Sequence, residues 1–136
     1  MKKRVLLAED NPEDRIPLAK YLQGKDWDVT EVLNPEQAIE EIKENEKTPF
    51  DVLILDLIMP EDNPKGGEQV LKFVKQMDAR LSRTTPVILA TAYGYNGPAQ
   101  AAKAAYPNAV KCTLTKSFAL ADLLKAMHSA CRTADT

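Results

Sequence analysis

Short apolar runs alternate with amphipathic segments along the whole chain, and this alternation limits the fold more than any other feature. Three of the runs contain four consecutive apolar residues, which is typical of strands covered on both faces of a sheet. The other two mix polar and apolar residues, which is typical of edge strands. The predicted strands are Arg4–Ala8, Trp27–Leu33, Phe50–Leu55, Pro86–Ala90 and Ala109–Leu114.

Between the strands, apolar residues recur with the period of a helix. The clearest faces are Ala38, Ile39 and Ile42, then Val70, Leu71, Val74, Met77 and Leu81, and last Leu123, Leu124, Met127 and Cys131. Alternating strands and helices predict an α/β fold, a parallel sheet of five strands with helices on both faces. With strands one, three and four in the centre, the doubly wound order 2-1-3-4-5 fits.

Length and composition narrow the class of protein. A chain of 136 residues fits one domain, residues 1–136. With 18 basic and 20 acidic residues there is no positive excess for nucleic acid or anionic membrane, and no apolar run approaches the roughly 20 residues of a membrane span. Two cysteines fit neither a metal cluster nor a disulfide scaffold, so we expect free thiols and a cytoplasmic location.

Polar residues follow the strands where each apolar run ends. Glu9 and Asp10 follow the first strand, Asp56 the third, Thr91 the fourth and Lys116 the fifth. Carboxyl ends of parallel strands share one edge of the sheet, so these groups are expected to converge. Clustered carboxylates without nitrogen or sulfur ligands suit Mg²⁺, and a lysine with a hydroxyl suits the oxygens of a phosphoryl group.

Four segments in the same order and spacing resemble the receiver domain of two-component response regulators, over nearly the whole chain. They are Val5–Asn11, Asp56–Pro60, Pro86–Ala92 and Leu114–Lys116.

The resemblance implies roles for these residues. Asp56 is the expected phosphoacceptor, and Glu9, Asp10, Asp56 and the backbone carbonyl of Ile58 are the expected Mg²⁺ ligands. Many relatives have Asp-Asp where this chain has Glu-Asp, but both pairs supply oxygen ligands.

The resemblance also implies that Thr91 and Lys116 bind phosphoryl oxygens. The expected partners are a sensor histidine kinase or a histidine phosphotransfer protein and a downstream protein target. The chain would be a monomer, or a homodimer that forms on phosphorylation, and would catalyse only its own phosphorylation and dephosphorylation.

The fifth strand departs from the family pattern at two positions. Ser117 stands where a proline usually follows the lysine after a cis bond, so we expect either a cis bond here or another path of the loop. Thr113 stands where an aromatic residue usually acts as the switch. Tyr93 and Tyr95 could replace that aromatic residue or simply line a surface loop.

Two further segments give local expectations. The loop Glu61–Lys65 is longer than usual, and its acids either reach the metal or form a solvated turn. Pro17 would disrupt a helix interior, so the first helix is expected to begin near Asp14, with Pro17 in its first turn.

Rival functions remain at this point. A Mg²⁺-dependent phosphatase would need a second aspartate where Ile58 stands, and a nucleotide site would need glycines where Ala8–Pro12 is acidic. Two alternatives stay open, a pseudo-receiver, which binds partners without phosphorylation, and a receiver that belongs to a hybrid kinase. Few residues follow the last predicted helix, so we expect a stand-alone receiver that signals by docking or by passing the phosphoryl group on.

Overall fold

A computed structural model, which describes residues 2–60, 62–92 and 97–134, contains one parallel sheet. Its strands run in the order β2-β1-β3-β4-β5, so the predicted α/β fold and strand order are confirmed. The bounds of the strands differ from the predicted ones by at most two residues. They are β1 (Lys3–Ala8), β2 (Trp27–Val32), β3 (Val52–Leu55), β4 (Val87–Thr91) and β5 (Val110–Thr115).

The three helices predicted from apolar periodicity are present. In α3 the buried residues include Val70, Leu71, Val74 and Met77, the face read from the sequence. None of the described helices is long and apolar enough to cross a membrane. The described helices are α1 (Pro12–Gly24), α2 (Pro35–Glu44), α3 (Gly66–Leu81), α4 (Pro98–Ala105) and α5 (Leu120–Ala134).

The sheet separates two hydrophobic cores, which explains the run of four consecutive apolar residues in each central strand. Leu53 and Leu55 of β3 face the core formed with α2, α3 and α4. Val52 and Ile54 of the same strand face the core formed with α1 and α5. Because successive side chains of a strand point to opposite faces, a strand between two cores buries them all.

The predicted start of α1 near Asp14 is wrong. The helix begins at Pro12, because the side chain of Asn11 accepts a hydrogen bond from the Glu13 N–H at 2.9 Å and caps the first turn. Proline at the first helical position costs no hydrogen bond. Pro17 therefore lies inside the helix, where its missing N–H leaves the carbonyl of the exposed Glu13 without its helical donor.

Candidate functional site

The acidic residues that end β1 and β3 meet at the carboxyl edge of the sheet. The Glu9 N–H donates to the Val32 carbonyl at 3.1 Å, and the Asp56 N–H donates to the Ala8 carbonyl at 3.2 Å, so both residues continue the strand pairing. Glu9, Asp10 and Asp56 each offer a carboxylate oxygen, and these atoms lie within 4.8 Å of one another. The structure thus brings together the three carboxylates that the sequence singles out.

Lys116 reaches into this group from the end of β5. Its Nζ lies 2.5 Å from Oε1 of Glu9, 2.9 Å from Oδ2 of Asp56 and 3.2 Å from Oδ2 of Asp14. The Lys116–Ser117 bond is cis, the first of the two expected alternatives. Asp14 is an addition that sequence reasoning missed, because an acid in the first turn of a helix is common without any further role.

Burial and mutual contact shift the pKa values of this group. Burial raises the pKa of Glu9 to about 7 from its ordinary 4.5, and the charge of Asp56 adds to this against the opposing hydrogen bond from Lys116. Burial alone would lower the pKa of Lys116, but its hydrogen bonds to Glu9 and Asp56 outweigh burial and raise it. Lys116 therefore stays charged while Glu9 titrates near neutral pH.

Ile58 and Thr91 line the same open crevice, which has a volume of about 540 Å³. The Ile58 N–H donates to Oδ1 of Asp56 at 3.1 Å, so its peptide lies directly beside the carboxylate. Thr91 is buried at the end of β4, and the Lys116 N–H donates to its carbonyl at 2.9 Å. All the site residues predicted from the sequence therefore line one crevice.

Arg15 ties the acidic loop to the first helix. Its Nη1 donates to the carbonyls of Glu9 and Asp10, both at 3.3 Å. Its Nε pairs with Glu31 on β2 at 3.1 Å. One guanidinium thus spans the loop and the edge strand, an arrangement that the sequence does not reveal because Arg15 looks like an ordinary helix-surface residue.

Two glycines let α3 begin against the loop that follows Asp56. A Cβ atom on Gly66 would overlap the Met59 carbonyl oxygen, and one on Gly67 would lie 2.5 Å from Cα of Leu57. The Gly67 N–H donates to the Leu57 carbonyl at 2.9 Å. No other residue type allows this approach, so the glycines hold the segment that carries the Asp56 side chain.

The departures from the family pattern are only partly described. Thr113 lies on β5 opposite Leu89 of β4, and its hydroxyl is buried with no hydrogen-bond partner among residues 2–60, 62–92 and 97–134. Tyr93, Tyr95 and Glu61 lie outside the described residues. The roles considered for these three residues therefore stay predictions.

The donor set fits a hard divalent cation. Glu9, Asp10 and Asp56 supply carboxylate oxygens, and among the described residues no histidine or cysteine joins them. Carboxylate oxygens with room for several waters are what Mg²⁺ prefers. Neighbouring carboxylates repel one another, and Lys116 offsets only part of that charge.

Solved structures share the fold of this chain. A signal receiver domain from Vibrio parahaemolyticus is 27% identical, with a TM-score of 0.79 over 99% of this chain and 94% of that one. The receiver domain of a sensor histidine kinase from Pseudomonas aeruginosa, with a magnesium ion coordinated in its active site cleft, has a TM-score of 0.75. It is 20% identical over 97% of this chain and 99% of its own, so it shows the fold alone.

Sequence comparisons identify the family. The response regulator receiver protein CpdR of Brucella abortus is 41% identical over 59 residues, which are 43% of this chain and 47% of that protein. The match thus spans about half the length of this curated relative. The family model described as the response regulator receiver domain matches residues 5–128. With its fold and its acidic crevice, the chain belongs to the response regulator receiver domain family of two-component signalling.

Proposed function

We propose that this receiver accepts a phosphoryl group on Asp56 in a Mg²⁺-dependent reaction and signals through a protein partner. The observation that carries the proposal is the position of the Asp56 carboxylate. It lies beside two further carboxylates and 2.9 Å from the Lys116 ammonium, at the carboxyl edge of the sheet. A buried carboxylate next to a cation and to hard-metal ligands is suited to attack phosphorus.

The donor is a phosphohistidine of a sensor kinase or phosphotransfer protein. An oxygen of Asp56 forms a bond to phosphorus while the P–N bond of the donor breaks. The donor imidazole keeps the electron pair and takes up a proton from water. The product is an aspartyl phosphate, from which a downstream protein reads the signal or a second histidine removes the phosphoryl group.

Residues of this chain supply the positioning and most of the charge. Lys116 pairs with one phosphoryl oxygen, and the buried hydroxyl of Thr91 donates to another. Glu9, Asp10, Asp56 and the Ile58 carbonyl would hold Mg²⁺. When bound, Mg²⁺ neutralises charge on the phosphoryl oxygens. Since these groups orient and neutralise rather than exchange protons, the receiver needs no further catalytic acid or base.

The test is the intact mass after incubation with Mg²⁺ and acetyl phosphate. The parent is expected to gain one phosphoryl group, while Asp56→Asn and the parent in chelator gain none. Asp122→Asn is the matched control, because Asp122 is exposed in the first turn of α5 and its substitution should leave the gain unchanged. No gain in the parent, with this donor or with a phosphorylated kinase, would instead support the pseudo-receiver.

A further inference from the structure

Lys116 donates to a third carboxylate, Asp14, for which the proposed chemistry has no use. An ammonium group has three N–H donors. In this structure Glu9, Asp56 and Asp14 accept from the Lys116 Nζ at 2.5, 2.9 and 3.2 Å. Each donor therefore already has a carboxylate partner before any phosphoryl group arrives.

Asp14 faces Lys116 from a fixed position. It lies in the first turn of α1, whose start is capped by Asn11. The next residue, Arg15, holds the same turn against the carbonyls of Glu9 and Asp10. The acidic loop and the first turn of α1 thus form one connected unit, and Asp14 is held beside the lysine that the loop carboxylates bind.

The bond to Asp14 is the weakest of the three. It is the longest, and the side chain of Asp14 is 44% exposed, against 6% for Glu9 and 9% for Asp56. An ion pair that water reaches contributes less than a buried one. When a phosphoryl oxygen needs a donor from Lys116, the bond to Asp14 is the one that breaks.

We propose that Asp14 is a positioning residue that competes with the phosphoryl group for Lys116 and thereby slows phosphoryl uptake by Asp56. The inference rests on the proposed function. The negative charge of Asp14 also slows phosphoryl uptake. A divalent cation and Lys116 together balance the charges of Glu9, Asp10 and Asp56. Asp14 then adds a further negative charge that an anionic phosphodonor must approach.

The test compares rates of phosphoryl uptake from acetyl phosphate at low ionic strength, followed by intact mass. We expect Asp14→Asn to react about two- to fivefold faster than the parent. Asp14→Glu, which keeps the charge, should return the rate toward that of the parent. Glu13→Gln is the matched control, since the exposed Glu13 lies in the same turn and has no ion pair with Lys116. It should change the rate by less than Asp14→Asn.

Two further readouts separate this role from a structural one. High salt should narrow the difference between the parent and Asp14→Asn, because exposed charges are screened. The ¹⁵N resonance of the Lys116 ammonium, in the unphosphorylated protein, should move in Asp14→Asn and stay in Glu13→Gln.

The possible failures are distinguishable. Equal or slower uptake in Asp14→Asn overturns the role of Asp14 and leaves the proposed function standing. A Lys116 ¹⁵N resonance that does not move in Asp14→Asn also overturns the role of Asp14 and leaves the proposed function standing. A parent that gains no phosphoryl group overturns the proposed function, and the role of Asp14 with it.

Discussion

Two lateral halves of the sheet, here called the β1–β3 side and the β4–β5 side, differ in how well their polar groups are paired. On the β1–β3 side, the carboxylates of Glu9 and Asp56 share the Lys116 ammonium, and Arg15 holds the loop from behind. On the β4–β5 side, the buried hydroxyl of Thr113 has no hydrogen-bond partner within the described ranges.

The register on the second side is irregular as well. The pairing of β4 with β5 shifts between Val87 and Ile88, whereas β1 pairs with β3 without a shift. This difference indicates that the choice of residues is more constrained at the pocket than in β5. Charges at the pocket must be offset or they repel, which restricts every neighbouring position. A neutral hydroxyl in β5 carries a smaller cost, so this side tolerates a change of residue.

The largest expected effect comes from disturbing the well-paired side at Gly66. A Cβ atom there would overlap the carbonyl oxygen of Met59, and backbone cannot move aside as a flexible side chain can. We expect Gly66→Ala to lower the free energy of unfolding by about 3 kcal/mol, measured by urea denaturation. Gly24→Ala is the control, since no described atom outside its chain neighbours and the nearby backbone of its own helix lies within 4 Å of the place its methyl group would take. An equal effect of both substitutions would contradict the close approach.

A second effect concerns the pH dependence of stability without metal. The folded chain holds a proton on Glu9 up to about pH 7, while the unfolded chain loses it near 4.5. A raised carboxyl pKa means that the contribution of Glu9 to stability is fully present below pH 4.5 and is lost as the pH rises through about 7. We expect the free energy of unfolding to fall by up to about 3 kcal/mol over this window.

Glu9→Gln isolates that contribution, because glutamine has no carboxyl group to titrate. Chemical denaturation in chelator at several pH values should show a weaker decline in Glu9→Gln than in the parent. A decline of the same size in both proteins would show that other groups cause it.

The smallest expected effect is on the β4–β5 side. Thr113→Val replaces this hydroxyl, which has no partner in the described part of the chain, by a methyl group of similar shape, so it should raise the free energy of unfolding by about 1 kcal/mol. Thr115→Val is the control on the same strand, and its exposed hydroxyl should make little difference. Thermal or urea unfolding gives both values. A loss of stability in Thr113→Val would show that the hydroxyl has a partner in the folded chain.

The fold can be read from the sequence because its strongest signals are local. Val52–Leu55 must be buried on both faces, and the polar residue that ends such a strand must lie at the carboxyl edge. The convergence of Asp56 with Glu9 follows from strand order, because β1 and β3 are neighbours. Lys116 follows β5, which β4 separates from β3, and reaches both carboxylates through its long side chain.

Other features depend on contacts that no local pattern encodes. The pairing of Asp14 with Lys116 joins residues 102 positions apart and requires the rotation of α1 against the end of β5. The predicted start of α1 is wrong because the Asn11 cap outweighs the cost of Pro17. A proline is tolerated inside this helix because the carbonyl it leaves free belongs to a solvent-exposed turn.

The contact between the start of α3 and the peptides after Asp56 limits how far a change in the loop Pro60–Lys65 can alter the shape of the pocket. The hydrogen bond from the Gly67 N–H to the Leu57 carbonyl closes a ring at the base of the segment that contains Pro60–Lys65. Asn63, inside that ring, is bonded to its base as well, because its carbonyl accepts from the Met59 N–H at 3.1 Å and from the Gly66 N–H at 3.3 Å. We therefore expect substitutions at the exposed loop residues Pro64 and Lys65 to change the surface next to Asp56 while the carboxylates beneath it keep their places.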